Sequence, residues 1–296
     1  MKNIGINVNT TKDPENKMVD FIIKTIYNVN KDVNIKIYKD CEGLNTQESD
    51  KLDVIIVLGG DGTILNTSEN ILESDTPILG VNIGHLGFLT QIEVNNIEIA
   101  LDKLFKKDYV IQDRTMIECS LDDGDKIESY YGLNDVVVYK GIKNSIQKYD
   151  VFIDNKFYNE FSADGIIVCT STGSTAYNLS AGGPIIHPSL DAFCVTPMYS
   201  QYLTARTIVL NNNSIITVKI KNESENLFLS IDGRDWIVIK GSIGINIKKS
   251  KYKRKLIKFN NNSFFKTLRE KITFGGKEYE GDIYESDKAH KNTSNY

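Results

Sequence analysis

Apolar and polar positions change rhythm about a third of the way along the chain. Before that point, continuous apolar runs alternate with stretches of helical spacing. Residues 3–7 (NIGIN), 33–38 (VNIKIY), 53–58 (DVIIVL) and 77–81 (PILGV) read as strands. An unbroken apolar run such as DVIIVL marks a strand buried on both faces. Between them, Met18, Phe21, Ile22 and Ile26 recur at helical spacing within 14–29, and 63–72 and 97–105 also fit helices. Strand, helix, strand, helix predicts a parallel α/β sheet.

After residue 108 the pattern becomes that of short strands: 109–112, 115–121, 126–131, 135–139, 148–153, 165–170, 214–219, 226–231 and 236–239. Turn-forming pairs at 123–124, 154–155 and 232–233 separate several of them. The expected organisation is an α/β domain over 1–108 and a β-rich domain over 109–258. Residues 248–258 (KKSKYKRKLIK) hold seven basic side chains and read as a solvated edge strand. Residues 264–272 (FFKTLREKI) have helical spacing, and 279–296 form a polar tail expected to fray.

Composition narrows the class. The 296 residues are 41% hydrophobic and 25% charged, enough for a proper core and unlike a disordered, collagenous or disulfide-stapled chain. With 35 basic against 39 acidic residues, the formal net charge of −4 argues against nucleic acid as a partner. Cys41, Cys119, Cys169 and Cys194 form no CxxC pair, so neither a zinc knuckle nor a redox dithiol is expected. The N-terminus has no signal-peptide pattern, and no apolar run approaches a membrane span. A cytoplasmic protein with no membrane partner is expected.

Four segments carry candidate chemistry. Gly59-Gly60-Asp61-Gly62-Thr63 follows a buried strand and precedes a helix, where backbone N–H groups can receive phosphate. It lacks the lysine of a Walker A loop and the spacing of a dinucleotide fingerprint. A carboxylate inside such a loop repels phosphate, so Asp61 makes chemical sense there only as a proton acceptor or as a holder of a metal ion. A plain Gly-Asp-Gly turn accounts for the pentapeptide equally well. Asn82 to Leu89 (NIGHLGFL) forms a second loop on the same sheet edge, with His85 read as structural and Phe88 able to stack on a ring. Leu133-Asn134-Asp135 sets an amide beside a carboxylate at a strand start. The run 164–184 (DGIIVCTSTGSTAYNLSAGGP) leads an apolar strand into hydroxyl residues and glycines, suited to sugar hydroxyls and amides. Ser174 is not in a nucleophile elbow, and His187 is the only nearby imidazole, so a hydrolase triad fits poorly.

Taken together, GGDGT (59–63), NIGHLGFLT (82–90), LND (133–135), the TSTGSTAYNLSAGGP stretch through Pro188 and FFKTLREKI (264–272) resemble the NAD kinase family, in family order and over most of the chain. GGDGT alone is shared with diacylglycerol-type lipid kinases and phosphofructokinases; the TGSTAY…SAGGP segment is more specific. The resemblance implies an α/β N-terminal domain plus a β-sandwich C-terminal domain, with 259–278 packing back on the first. It implies transfer of the terminal phosphate of ATP, or of polyphosphate, to the adenosine ribose 2′-hydroxyl of NAD. It also implies a divalent metal, usually Mg²⁺, and a homodimer or homotetramer.

By position, the resemblance makes Asp61 the general base, and Gly59, Gly60, Gly62 and Thr63 the phosphate loop, with Gly62 also near NAD. Phe88 would line the adenine pocket. Asn134 and Asp135 would grip the adenosine ribose. Asp164 and the window Thr172, Thr175, Ala176, Tyr177, Asn178 and Ser180 would hold the adenine and the nicotinamide half, with Ser162 and Tyr199 at further substrate-contacting positions. No residue is assigned to metal. The chain departs from the family pattern in several places: Asp135 stands for a Glu, Ser171 for a Pro, Asn66 and Ser162 for Arg, and the 199–207 stretch lacks the family's His and Pro. A non-catalytic NAD-binding sensor, and a lipid or sugar kinase with the same loop, are the rival readings.

Overall fold

The computed structural model describes residues 1–84, 87–90, 92–122, 126–141, 147–220, 227–234, 236–239, 243–259 and 264–273. His85, the turn at 123–124 and the tail at 279–296 lie outside them.

The first third runs β1 (Asn3–Val8), α1 (Lys17–Val29), β2 (Asn34–Lys39), α2 (Thr46–Ser49), β3 (Val54–Gly59), α3 (Asp61–Asn70), β4 (Ile78–Asn82), β5 (Ile92–Glu93) and α4 (Ile97–Phe105). The strands pair in parallel in the order β4-β3-β1-β2. Every residue of β3 and β4 is buried, as their unbroken apolar runs require. Val19, Ile22 and Ile26 of α1 share one core with Ala100, Leu101 and Leu104 of α4 and with Ile4, Ile6 and Val8. Helix α1 starts at Lys17 rather than at residue 14 because Asp13 ends the preceding loop. Its Oδ2 accepts the N–H groups of Met18 and Val19 at 3.0 Å each, capping the helix from three residues upstream of Asn16.

The remainder runs β6 (Val110–Asp122), β7 (Ile127–Gly132), β8 (Asp135–Tyr139), β9 (Gln147–Ile153), β10 (Lys156–Ala163), β11 (Gly165–Thr170), α5 (Tyr177–Ser180), β12 (Ala192–Met198), β13 (Ile208–Asn211), β14 (Ile216–Ile220), β15 (Leu227–Ile231), β16 (Ile237–Ile239) and β17 (Gly244–Lys258). A six-stranded antiparallel sheet has the order β13-β12-β11-β8-β15-β16. Its Val136, Val138, Ile166 and Val168 meet Tyr149, Val151, Phe161, Ile216, Val218 and Ile245 of the other sheet in one core. This is a β-sandwich, so the expected α/β plus β-rich architecture is present.

Two expectations need correction. Residues 109–112 and 115–121 are one strand, β6, because β17 pairs with it on both sides of Asp113 and Arg114. The basic stretch at 248–258 is not an edge. It lies in β17, which pairs with β6, with β14 and, through Leu256 and Ile78, with β4, joining the parallel strands of the first third to one layer of the sandwich in an eleven-stranded sheet. Its lysines are tolerated because the strand alternates. Arg254 and Leu256 are buried on one face and Ile257 on the other, while Lys248, Lys253 and Lys255 pair with Glu118, Asp113 and Asp75 at 3.2, 3.6 and 3.1 Å. Residues Met1–Asn260 form one compact unit. In the second unit, Phe264–Leu268 is helical and continues in wider turns through Arg269–Thr273.

One side chain links β17 to α3. Arg254 is fully buried. Its Nη1 donates to the Ser74 carbonyl at 3.0 Å, and its Nη2 to those of Ser68, Ile71 and Leu72 at 2.9, 3.0 and 3.2 Å. These are carbonyls at the end of α3 and just beyond, and α3 has no basic residue of its own in its last turn. The guanidinium supplies both donors and positive charge at the negative helix end. Arg254→Met should therefore destabilise the protein by about 3–5 kcal/mol, since several buried carbonyls lose their donors at once. Guanidinium denaturation reads this, and an unchanged midpoint would overturn it.

Candidate active site

The turn between β3 and α3 is as short as it can be, because only Gly60 separates Gly59 from Asp61. A side chain at Gly59 would strike Thr63, whose Oγ1 would lie 2.2 Å from the new Cβ. That hydroxyl accepts from the Gly60 N–H and from Asn9 Nδ2, each at 3.3 Å. At Gly62, by contrast, a Cβ would meet nothing within 4 Å, so open space lies over the first turn of α3. Positive charge comes from a residue that no sequence motif singles out. A Cβ on Gly60 would come within 2.9 Å of Lys12 Nζ, so an ammonium group stands over the Gly59–Thr63 loop. No spacing in the sequence announces it, because Lys12 follows β1 and reaches the loop only through the parallel pairing of β1 and β3.

Asp61 does not project freely. Its Oδ2 accepts the Phe88 N–H at 2.8 Å, and its Oδ1 accepts those of Leu89 and Thr90 at 3.0 and 3.1 Å. These are charge-assisted bonds that fix the carboxylate against the second loop. Gly87 makes the approach possible, since a Cβ there would sit 1.8 Å from Asp61 Oδ1. The Thr90 hydroxyl accepts the Gly87 N–H at 2.7 Å and so shapes the same turn. At the end of β4, in register with Gly59, Asn82 is buried with both amide atoms unpartnered among the described residues. A buried amide without partners costs about 1–3 kcal/mol and marks a place for a water or a ligand atom.

The third segment opens on a cavity of about 350 Å³, within the range of small-molecule sites. Leu65, Asn134, Asp135, Ala176, Tyr177, Asp232 and Trp236 are among its walls. Leu65 lies on α3, four residues past Asp61, so the cavity and the loop share that helix. Asp232 has a left-handed backbone, φ 54°, and its carboxylate gathers the N–H groups of Leu133, Asn134 and Asp135 at 2.7, 2.7 and 3.1 Å. Burial raises the Asp232 carboxyl above its ordinary value, opposed by those three donors. Asp135 has no such relief. Burial first, then the neighbouring Asp232, push its carboxyl up to about 7. In this pair Asp232 holds the charge and Asp135 the proton.

The remaining predicted positions divide. Tyr177 is half exposed at the cavity, with its phenol raised chiefly by burial. Thr172 receives Arg114 Nη1 at 3.4 Å, and Thr175 donates to the Thr172 carbonyl at 3.4 Å. Asn178 is fully buried. Its Oδ1 accepts the Thr196 hydroxyl at 2.6 Å, and Gly183 packs so closely that a Cβ there would be 2.3 Å away. It props the window from behind. Ser174, also buried, donates to the Ser171 carbonyl at 2.8 Å and accepts the Ile186 N–H at 2.9 Å, which leaves it no role as a nucleophile. Asp164 pairs with Lys140 at 2.7 Å. Ser162 is buried on β10 with Ser180 and Tyr199 exposed, and none of these three lines the cavity.

A Gly-Asp-Gly loop at a strand exit of the parallel sheet, with a cavity on the helix that follows it, fits a nucleotide-binding phosphotransferase. Family models described as the ATP-NAD kinase N-terminal and C-terminal domains match residues 7–109 and 133–259. NAD kinase of Clostridium kluyveri is 62% identical over 283 residues, 96% of this chain and 100% of that one. NAD kinase of Clostridium tetani is 47% identical over 274 residues, 92% of this chain and 99% of that one. A solved NAD kinase from Archaeoglobus fulgidus in complex with ATP superposes with TM-score 0.74 at 25% identity, over 92% of this chain and 98% of that one. Yeast NADH kinase complexed with NADH has the same fold, with TM-score 0.83 at 23% identity over 95% and 90%. The chain belongs to the NAD kinase family, enzymes that phosphorylate NAD. Among the described residues, no helix is long and apolar enough to cross a membrane.

The buried carboxyl pair predicts a pH dependence. Asp135 titrates near 7 in the folded chain and near 4 when unfolded, so the folded state binds the extra proton between those values. Its contribution is complete below about pH 4 and is lost as pH rises through about 7, at roughly 1 kcal/mol per pH unit in between. Asp135→Asn, which copies the protonated acid, should therefore melt above the wild type at pH 8. The gap should close towards pH 4. Parallel melting curves against pH would refute the assignment.

Proposed function

We propose that the chain transfers the γ-phosphate of ATP to the 2′-hydroxyl of the adenosine ribose of NAD, giving NADP, with Asp61 as general base. The observation that carries this reading is the placing of Asp61. Its carboxylate is held by Phe88, Leu89 and Thr90 at the start of the helix whose next turn lines the cavity of Asn134, Asp135 and Tyr177. In that cavity Asn134 and Asp135 hold the adenosine ribose and Ala176 and Tyr177 its base, with Phe88 alongside. Gly62, Asp164, Thr172, Thr175, Ser180, Ser162 and Tyr199 are the remaining contacts proposed for NAD.

Among the described residues Asp61 Oδ2 has a single N–H donor, from Phe88, and so keeps a lone pair for the hydroxyl proton. The ribose oxygen then attacks the γ-phosphorus while the bond to the bridging oxygen of ADP breaks. Such transfers depend mostly on positioning and charge stabilisation. Gly59, Gly60, Gly62 and Thr63 at the α3 N-terminus cradle the phosphates, and Lys12 takes the place of the arginine absent at Asn66. Among the described residues no three His, Cys, Asp or Glu side chains converge as a metal cage. A divalent ion such as Mg²⁺ would be held mainly by the donor's phosphates, as that ion commonly is. We also assign a homodimer or homotetramer, for which the exposed Tyr202 and Leu203 offer apolar surface; light scattering tests it.

Asp61→Asn should keep NAD affinity by calorimetry and lower kcat by roughly 10²–10⁴, the span of a general base. Normal turnover would remove Asp61 from the role. Lys12→Ala should raise KM for ATP more than KM for NAD, and equal effects on both would place Lys12 elsewhere.

A further inference from the structure

The chain's single tryptophan lies at the cavity and has no part in the scheme above. Trp236 precedes β16, one short turn after Asp232 and Gly233, and is half exposed. Two rings brace it: Tyr139 at 5.9 Å between centroids, tilted by 43°, and Phe228 at 6.4 Å, edge to face. Phe228 is itself seated against Gly141, where a Cβ would come within 2.4 Å of the ring. An indole fixed from two sides cannot fold away, yet it remains part of the cavity wall. Tyr177 lines the same cavity.

The cavity floor is also unfinished. Asp135 is 3% exposed, and its carboxyl has no side-chain hydrogen-bond partner among the described residues. A buried, unpartnered acid at the base of a cavity with two aromatic walls calls for a flat ligand that brings its own polar atoms. A nucleoside meets that description: base against the rings, sugar hydroxyls or ring nitrogen at the acid.

We propose that Trp236 is a stacking wall of the adenosine pocket, and that its indole sets the preference for a purine at this end of the dinucleotide. This rests on the NAD kinase reading for the identity of the ligand, but not on Asp61 as base. A purine stacks on an aromatic face more broadly than a single six-membered ring, and removing such a face commonly costs about tenfold in affinity.

The test uses the full chain, with NAD, AMP and nicotinamide mononucleotide as probes. All tryptophan emission comes from Trp236, so quenching reports on this position alone. NAD and AMP should quench it, and nicotinamide mononucleotide should not. Trp236→Leu should raise Kd for NAD and AMP about tenfold by calorimetry and raise KM for NAD more than it lowers kcat. Trp236→Phe should recover most of the loss. Unaltered AMP affinity in Trp236→Leu, or quenching by nicotinamide mononucleotide in place of AMP, overturns the proposal. The wild-type emission keeps it testable should Trp236→Leu fail to fold. Full turnover with unaltered affinity in Trp236→Leu rejects the stacking wall and leaves the kinase reading standing. AMP quenching in a protein that forms no NADP does the reverse.

Discussion

The guanidinium of Arg254 under the end of α3 is the contact on which the site's geometry rests. Helix α3 has a poor sequence for a helix: Gly62, Thr63, Asn66, Thr67, Ser68 and Asn70 fall within ten residues. Two of its hydroxyls bond back to its own carbonyls, Thr67 to Thr63 at 2.8 Å and Ser68 to Ile64 at 2.7 Å, which bends helices more than it strengthens them. Its position is therefore imposed from outside. Arg254 takes the C-terminal carbonyls, Asn7 donates to Thr67 at 2.8 Å, and Arg234 pairs with Glu69. The helix so held presents Asp61 at one end and Leu65 to the cavity.

A second arginine extends the argument across the molecule. Arg114 on β6 is the register partner of Arg254 on β17, and both are buried. Desolvation pulls each guanidinium down to about 10, which still leaves both charged at neutral pH. Arg254 reaches α3, whereas Arg114 reaches Thr172 at the head of the nucleotide window. One rung of one strand pair thus braces both helix α3, which follows the GGDGT loop, and the TSTGSTAY segment. Burying two like charges side by side is costly, and among the described residues neither is hydrogen-bonded to a carboxylate. Their Nη groups donate to carbonyl, amide and hydroxyl oxygens, while both Nε atoms are buried without a partner among the described residues, so moving either segment would strip each cation of the acceptors it has in an apolar interior.

How much of this was readable from the chain depended on locality. The buried strands β3 and β4, helix α4 and the strands at 135–139 and 165–170 were legible because their patterns are continuous and self-contained. Strand β12 was missed: Pro197 within AFCVTPM argues against a strand unless the neighbouring pairs are known. Strand β10 (KFYNEFSA) has no clean alternation, and β13 is only four residues long. The basic run in β17 misled because charge along a strand shows exposure on one face only; which neighbours pair with it is not a local property. At the site, Asp61 and Gly62 stood out by composition. Lys12, Asp232 and Trp236 did not, since each comes from a separate segment and gains meaning only beside Gly60, Asp135 and Tyr177.

The distribution of charge in the cleft gives the parts a common logic. A phosphate loop containing Asp61 would repel its ligand if the carboxylate faced it bare. Three backbone N–H groups from 88–90 take up that charge, and the open side of α3 adds the helix's positive end together with Lys12. At the cavity the problem is inverted. Two carboxyls lie together, and one is relieved by the backbone of 133–135 while the other keeps its proton. The same device, peptide N–H groups gathered around an aspartate in a tight turn, thus sets both ends of the site. At Asp61 it steadies the carboxylate proposed as the proton acceptor. At Asp232 it favours the charge there, so the neighbouring Asp135, raised by burial and by that charge, keeps its proton to higher pH.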